Sequence, residues 1–176
     1  MLLVQAALLL LVLCQNLQQS HAVVFKLTNA VCKTLNETWI DFPVCRLRAV
    51  NRHKVCLNID AMLHHPVHDA FIKGDLMKKA NGYKPWLYSA NFDGCQFIRR
   101  RNNPIIRLIW EFFKEFSNIN HTCPYVGLQR VKDFYLKYEK LPTPIPSGEY
   151  LVHLTWLFNK RPQAVTDIYF TFVEDF

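Results

Sequence analysis

Cys123 stands two residues after His121 in the stretch SNINHTCPYVG, residues 117–127. A thiol near an imidazole is the pair from which a nucleophile is built, the imidazole taking the proton and the thiolate attacking. The same stretch contains Asn120-His121-Thr122, a glycan acceptor triplet, and a second triplet, Asn36-Glu37-Thr38, lies upstream. A further cluster, HHPVHD, brings His64, His65, His68 and Asp69 together, which are ligand types for zinc or copper. Pro66 breaks any regular helical spacing between His64 and His68, so this cluster reads as a surface turn and no metal site is expected. Arg99-Arg100-Arg101 is the one basic run, suited either to a phosphate or carboxylate head group or to solvation alone. No G-x-S-x-G elbow, H-E-x-x-H pair or glycine-rich phosphate loop is present, and the whole chain has 5 glycines. The expectation is a protein that is not an enzyme and carries no cofactor.

The compartment decides how the cysteines are read. Residues 1–22 carry no Lys, Arg, Asp or Glu, their apolar run is too short to cross a bilayer, and Ser20 and Ala22 precede a cleavage point before Val23. This is the pattern of a signal peptide, leaving residues 23–176 as a single secreted, extracellular domain without a transmembrane segment. Five cysteines follow the signal: Cys32, Cys45, Cys56, Cys95 and Cys123. In an oxidising compartment they read as disulfides with one thiol left over, and zinc spacing of the C-x-x-C type is absent. Lys and Arg total 21 against 14 Asp and Glu, a net charge of +7. Such a charge suits an anionic partner, but export argues against nucleic acid, and scattered basic residues fit a solvated surface.

Elements that would hold these residues follow from periodicity. VVFKLTNAVCK is apolar and β-branched, a first strand. VCRLRAVNR and KVCLNIDAML alternate and flank a polar turn at residues 51–54, a hairpin. VHDAFIKGDLMKK and YKPWLYSANF pair across Ala80-Asn81-Gly82. The period then changes: Ile105, Leu108, Ile109, Phe112 and Phe116 recur at helical spacing after Asn103-Pro104, predicting one amphipathic helix over residues 103–117. VGLQRVKDFYLKY is mixed and LPTPIPSGE is a loop. YLVHLTWLFN and AVTDIYFTFVED alternate again, so the fold class is an all-β antiparallel sandwich with one inserted helix. The aromatic stripes suit either a packed core or an apolar cavity.

Cys32, CRLRAVNR, NGYKPWLYSANFDGCQF, the helix, SNINHTCPY and PSGEYL occur in this order, and with them the chain resembles an insect family of small secreted proteins of unknown function. That family is related to the ML lipid-recognition superfamily, with chemosensory B-type and ganglioside-activator-like proteins as remoter relatives. The resemblance spans about residues 24–175. It implies an immunoglobulin-like, ML-type sandwich whose relatives hold apolar ligands between the sheets. It implies pairing of Cys32 with Cys45 and of Cys95 with Cys123, although Cys56 departs from the pattern and competes for Cys32. On this reading a lipid or small apolar molecule is the partner, and an extracellular receptor is the alternative one. The lining would come from Phe71, Leu87 and Phe92, from Ile109, Phe112 and Phe113 of the helix, and from Trp156, Phe158 and Phe170. Arg99, Arg100 and Arg101 would take the head group, and Asn36 and Asn120 would carry glycans.

Overall fold

The structure, a computed structural model, describes residues 23–52, 54–138 and 145–174. The expected signal peptide, His53 of the first turn and residues 139–144 of the proline-rich loop lie outside the described residues. Two antiparallel sheets face each other. The larger runs in the order β1 (Val23–Thr34), β8 (Arg161–Glu174), β7 (Gly148–Phe158), β4 (Ala70–Ala80) and β5 (Gly82–Asp93). The smaller runs β2 (Ile40–Asn51), β3 (Lys54–Val67) and β6 (Tyr125–Phe134). The protein is an all-β antiparallel sandwich with a small helical insertion.

Alternation along each strand decides which side chains enter the space between the sheets. Tyr150, Val152, Leu154, Trp156 and Phe158 share one face of β7, and β8 brings Ala164, Thr166, Ile168, Phe170 and Phe172 alongside through its register. The hairpins form where the turn residues require them. β2 and β3 meet at Asn51 and Lys54, while β4 and β5 close tightly at Ala80 and Gly82, where φ is +84°. Glycine takes this left-handed backbone without the clash a Cβ would bring.

β3 is longer than expected. His64, His65 and Pro66 continue the strand to Val67 past a register irregularity after Leu63, so only His68 and Asp69 form the turn. β3 is the central strand of its sheet, and Pro66, which has no N–H to donate, falls where the ladder with β6 is interrupted between Leu63 and Val67.

Two helices, and not one, interrupt the strands. α1 (Gly94–Arg100) follows β5 directly, and α2 (Pro104–Phe113) runs into a 3-10 turn at Lys114–Phe116. Asp93 caps α1 by accepting from the Gln96 N–H at 2.9 Å, and Arg101 ends it with a left-handed backbone, φ 46°, its N–H bonding the Phe97 carbonyl. Asn103 caps α2, accepting from the N–H groups of Ile105 and Ile106, with Pro104 at the first helical position. A seven-residue helix spans too few turns for a periodic pattern to reveal it, which is why α1 is invisible in the sequence. The orientation of α2 also differs from expectation. Ile106 and Trp110 are buried, with Phe113 packed beside them, whereas Ile105 and Ile109 are 51% and 54% exposed. Apolar residues occupy more than half the circumference of α2, so periodicity alone cannot choose the packed side.

Candidate functional site between the sheets

The two sheets are held together differently along their two long edges. Cys32 of β1 is bonded to Cys45 of β2, with Cα atoms 6.0 Å apart, and β1 runs close against β2. At the opposite edge, β5 and β6 are linked through the helices by a chain of rings. Phe92 of β5 meets Phe97 of α1 at 6.1 Å, Phe97 meets Trp110 of α2 at 6.5 Å, and Trp110 meets Phe113 at 6.0 Å. Phe113 then reaches Phe134 of β6 at 6.4 Å, and Phe134 meets Phe116 edge-on at 5.4 Å. Such ring pairs each add roughly 0.5–1.5 kcal/mol beyond area burial. The helical insertion is therefore a cap laid over the open side of the sandwich.

Cys95, buried in α1, is bonded to Cys123, with Cα atoms 5.5 Å apart across 28 positions of sequence. The bond anchors the start of the cap next to the strand by which the chain returns. Gly94 lets α1 lie against β4: a Cβ there would sit 2.9 Å from Ile72 Cδ1 and 3.3 Å from the Ala70 carbonyl oxygen. The sulfur of Cys123 is thus unavailable as a nucleophile. His121 is occupied locally, its Nδ1 lying 2.8 Å from the Thr122 carbonyl oxygen and its ring 4.7 Å from that of Tyr125, whose hydroxyl donates to the His121 carbonyl.

Burial along the inner faces is uneven. One cluster, at one end, joins Leu27, Leu57, Tyr150, Phe170 and Phe172, with Tyr150 wholly buried and stacked on Phe170 at 5.2 Å. The other joins Ile40, Leu63, Val67, Ala70, Cys95, Tyr125, Phe158 and Ala164. Along the same faces Val152, Leu154 and Trp156 of β7, Ile168 of β8, Leu76 of β4, and Ile59 and Ala61 of β3 are half-buried, all but Leu154 packed against one of the two clusters, while Thr166, opposite Leu154, is buried. Leu154 leans over Gly74, where an added Cβ would stand 3.0 Å from Leu154 Cδ2. Sandwich cores usually bury such central positions completely. Here several apolar side chains along the inner faces keep part of their surface accessible while packing against the clusters beside them.

Polar atoms at this edge are few. Trp110 is 8% exposed, yet its indole N–H has no partner among the described residues, and Gln129 Oε1 of β6 is likewise buried without a donor. Gln129 stands opposite Ala61 in the ladder, and its amide nitrogen donates to the Val126 carbonyl. Trp156 differs, its indole N–H donating to Thr166 Oγ1 at 3.1 Å.

The structure separates the expected lining residues into three groups. Trp156, Phe92 and Phe113 lie half-buried along the inner face or the cap, and Phe112 is half-buried on α2. Phe158 and Phe170 are buried, one in each end cluster. Leu87, Ile109 and Phe71 do not line the inter-sheet space: Leu87 is 71% exposed on β5, Ile109 points outward from α2, and Phe71 lies on the outer face of β4. Phe71 instead borders an open hollow of about 280 Å³ between the β4–β5 end and α1, with Phe92, Gln96 and Asn103. A second open hollow, about 440 Å³, sits at the far rim beside the Lys79–Glu149 ion pair. Arg99 and Arg100 occupy the last turn of α1, and Arg101 its left-handed cap, all exposed. Asn120 is exposed, while Asn36 is half-buried, its Oδ1 accepting from the Thr38 N–H and hydroxyl.

The histidine cluster does not converge. His64 Nε2 lies 3.4 Å from Asp41, the His65 ring packs edge-on to Trp39 at 5.1 Å, and Asp69 accepts from the Asn159 N–H. Among the described residues no group of His, Cys, Asp or Glu is arranged to hold a metal ion.

A constellation missed from the sequence lies on the outer face of the large sheet. His153 Nδ1 is 2.6 Å from Asp167 Oδ1, and its Nε2 is 3.5 Å from the Thr155 hydroxyl. Asp75, across the ladder from His153, accepts from Ser89. The order carboxylate, imidazole, hydroxyl resembles a catalytic relay, but β7 lies inside the sheet between β4 and β8. Its backbone N–H groups are committed to the ladders, so they cannot stabilise an oxyanion there. Register alone places these four residues in a row, and no local motif announces it.

Cys56 is the free cysteine among the described residues, 1% exposed, on the face of β3 opposite Leu57. In the ladder it faces Arg48, whose guanidinium bonds Asp133 at 2.7 Å. Burial pushes the thiol above its ordinary range.

Residues 72–152 match the family model described as a protein of unknown function, DUF1091. No curated protein matches the chain. The DUF1091 match begins in β4, takes in β5, both helices and β6, and ends in β7. It therefore contains the whole cap and the Cys95–Cys123 bond, and excludes Cys32–Cys45. The feature with the most distinctive geometry lies within the matched stretch.

Proposed function

We propose that this protein is a secreted carrier that holds a lipid or another small apolar molecule between its sheets and performs no chemistry on it. The observation that carries the reading is the run of half-buried apolar side chains along the inner faces, flanked by two buried clusters and covered along one edge by a helical cap. Apolar chains entering such a space gain ~0.8 kcal/mol per buried CH₂. A kinship of the DUF1091 match with the ML lipid-recognition superfamily, and an insect origin, form part of this proposal. So do glycans at Asn36 and Asn120 and head-group contacts by Arg99, Arg100 and Arg101. Two disulfides suit an extracellular setting, and no helix among the described residues is long and apolar enough to cross a membrane. Cys123 is locked in a disulfide, which removes the one Cys–His pair from catalysis.

The test is organic extraction and mass spectrometry of the protein purified from secretion medium, followed by titration with fluorescent fatty-acid and sterol probes. A stoichiometric co-purified lipid, or saturable uptake of a probe, is the expected result. Neither lipid nor saturable uptake would reject the carrier reading.

A second reading rests on β5, an edge strand of the large sheet that leaves Leu87 71% and Tyr88 48% exposed. An extracellular protein, such as a chemosensory receptor, would add to that edge. Crosslinking in the native fluid should then depend on Leu87, and a Leu87→Lys variant should lose the product.

A further inference from the structure

Charge and apolar exposure coincide on the cap. Between Gly94 and Lys114 the chain carries Arg99, Arg100, Arg101, Arg107 and Lys114 against a single carboxylate, Glu111. Glu111 is engaged by Lys114 at 2.5 Å, and that hydrogen bond holds its carboxyl below the ordinary range, with Arg101 and Arg107 adding to the effect at longer reach. None of the four arginines forms an ion pair with a carboxylate among the described residues, and all four are exposed.

The apolar arc of α2 is wider than its packing uses. At about 100° per residue, Ile106, Trp110 and Phe113 share the side turned to the sandwich. Ile105 and Ile109, one turn apart, stand on the adjoining side, 51% and 54% exposed, with half-buried Leu108 and Phe112 next to them. A ten-residue helix offers a strip of about 15 Å by about 10 Å, on the order of 150 Å², far below the roughly 800 Å² per partner of a stable protein interface. A short apolar strip on a helix that follows a run of arginines is, however, the composition of segments that lie in a membrane interface.

We infer that the α1–α2 cap docks this protein onto an anionic bilayer surface, with Ile105 and Ile109 entering the head-group layer and Arg99, Arg100 and Arg101, just before α2, contacting lipid phosphates and carboxylates, while Arg107 projects from the opposite side of α2. The inference stands whether or not the sandwich holds a ligand. Attraction of several arginines to an anionic leaflet falls off within a Debye length, so docking weakens with salt.

The experiment is flotation of the disulfide-intact protein with vesicles of phosphatidylcholine alone or phosphatidylcholine mixed with phosphatidylserine. Binding is expected on the anionic vesicles only, decreasing about fivefold for each of Arg99, Arg100 or Arg101 changed to Gln and falling at high salt. The Ile105→Glu, Ile109→Glu double variant should lose flotation while melting as the parent does, since both side chains are solvent-exposed. Equal flotation on the two vesicle types, no flotation, or undiminished flotation of the double variant would overturn the inference. Concentration-dependent dimerisation abolished by the same double variant, without vesicle binding, would instead assign this face to a second copy of the chain.

Discussion

Trp110 carries a buried indole N–H that no described group accepts, and a lost or unmade hydrogen bond of this kind costs about 1–3 kcal/mol. Trp110→Phe keeps the ring and removes the donor. The expected outcome is a urea midpoint equal to or above that of the parent for ligand-free protein, whereas Trp110→Ala should lose about 3–5 kcal/mol. A Trp110→Phe protein that also releases carboxylate- or hydroxyl-bearing probes but keeps pure hydrocarbons would identify the N–H as a ligand contact. Cys56 offers a second residue-scale test. Its raised thiol pKa and burial keep it protonated, so iodoacetamide near neutral pH should modify it only in denaturant. Asp133 gives a sign for pH. The hydrogen bond from Arg48 holds its carboxyl below the ordinary range, against an opposing desolvation. A depressed carboxylate stabilises the fold above its unfolded pKa and loses that contribution as pH falls through the folded value. Asp133→Asn should therefore flatten the acid limb of stability below about pH 4, by a small amount, because the pair is solvent-exposed.

Elements behave as units held by few contacts. In the chain-entropy model, closing a loop of 28 positions is worth about 3–4 kcal/mol, so Cys95→Ala with Cys123→Ala should lower stability by that order in chemical denaturation. Gly94→Ala tests the seat of α1 more locally. Its new Cβ would meet Ile72 and the Ala70 carbonyl, and about 1–3 kcal/mol of destabilisation is expected from thermal melts. The strands were legible in the sequence because large apolar residues recur at alternate positions over most of β7 and β8 and because Asn-Gly marks the β4–β5 turn. The start of α2 was legible too, from Asn103 and Pro104. The packed side of α2 was not, since Ile105 and Ile106, or Ile109 and Trp110, satisfy helical spacing equally. Which stripe is buried depends on Phe97 and Phe134, which come from elements distant in sequence. For the same reason Leu87 and Phe71 read as lining residues although alternation at β5 and β4 turns them outward. The pairing of Cys32 with Cys45, implied by the family resemblance, is borne out, and the sheet edges explain it because β1 and β2 lie side by side.

At the scale of the whole molecule, the sheets meet along β1 and β2 by a covalent bond between the strands themselves, and along β5 and β6 by rings of the helical cap, with the Cys95–Cys123 bond joining only the helix after β5 to the segment before β6. That asymmetry makes the molecule a book with a bound spine and a loose fore-edge. The helical side is therefore where the covers are expected to part first. Amide exchange should accordingly be slowest in β1 and β2 and fastest in α2, with α1 intermediate because Cys95 tethers it. For the proposed carrier, ligand is expected to enter and leave by this helical side, at a rate set by how often the rings between Trp110 and Phe134 part.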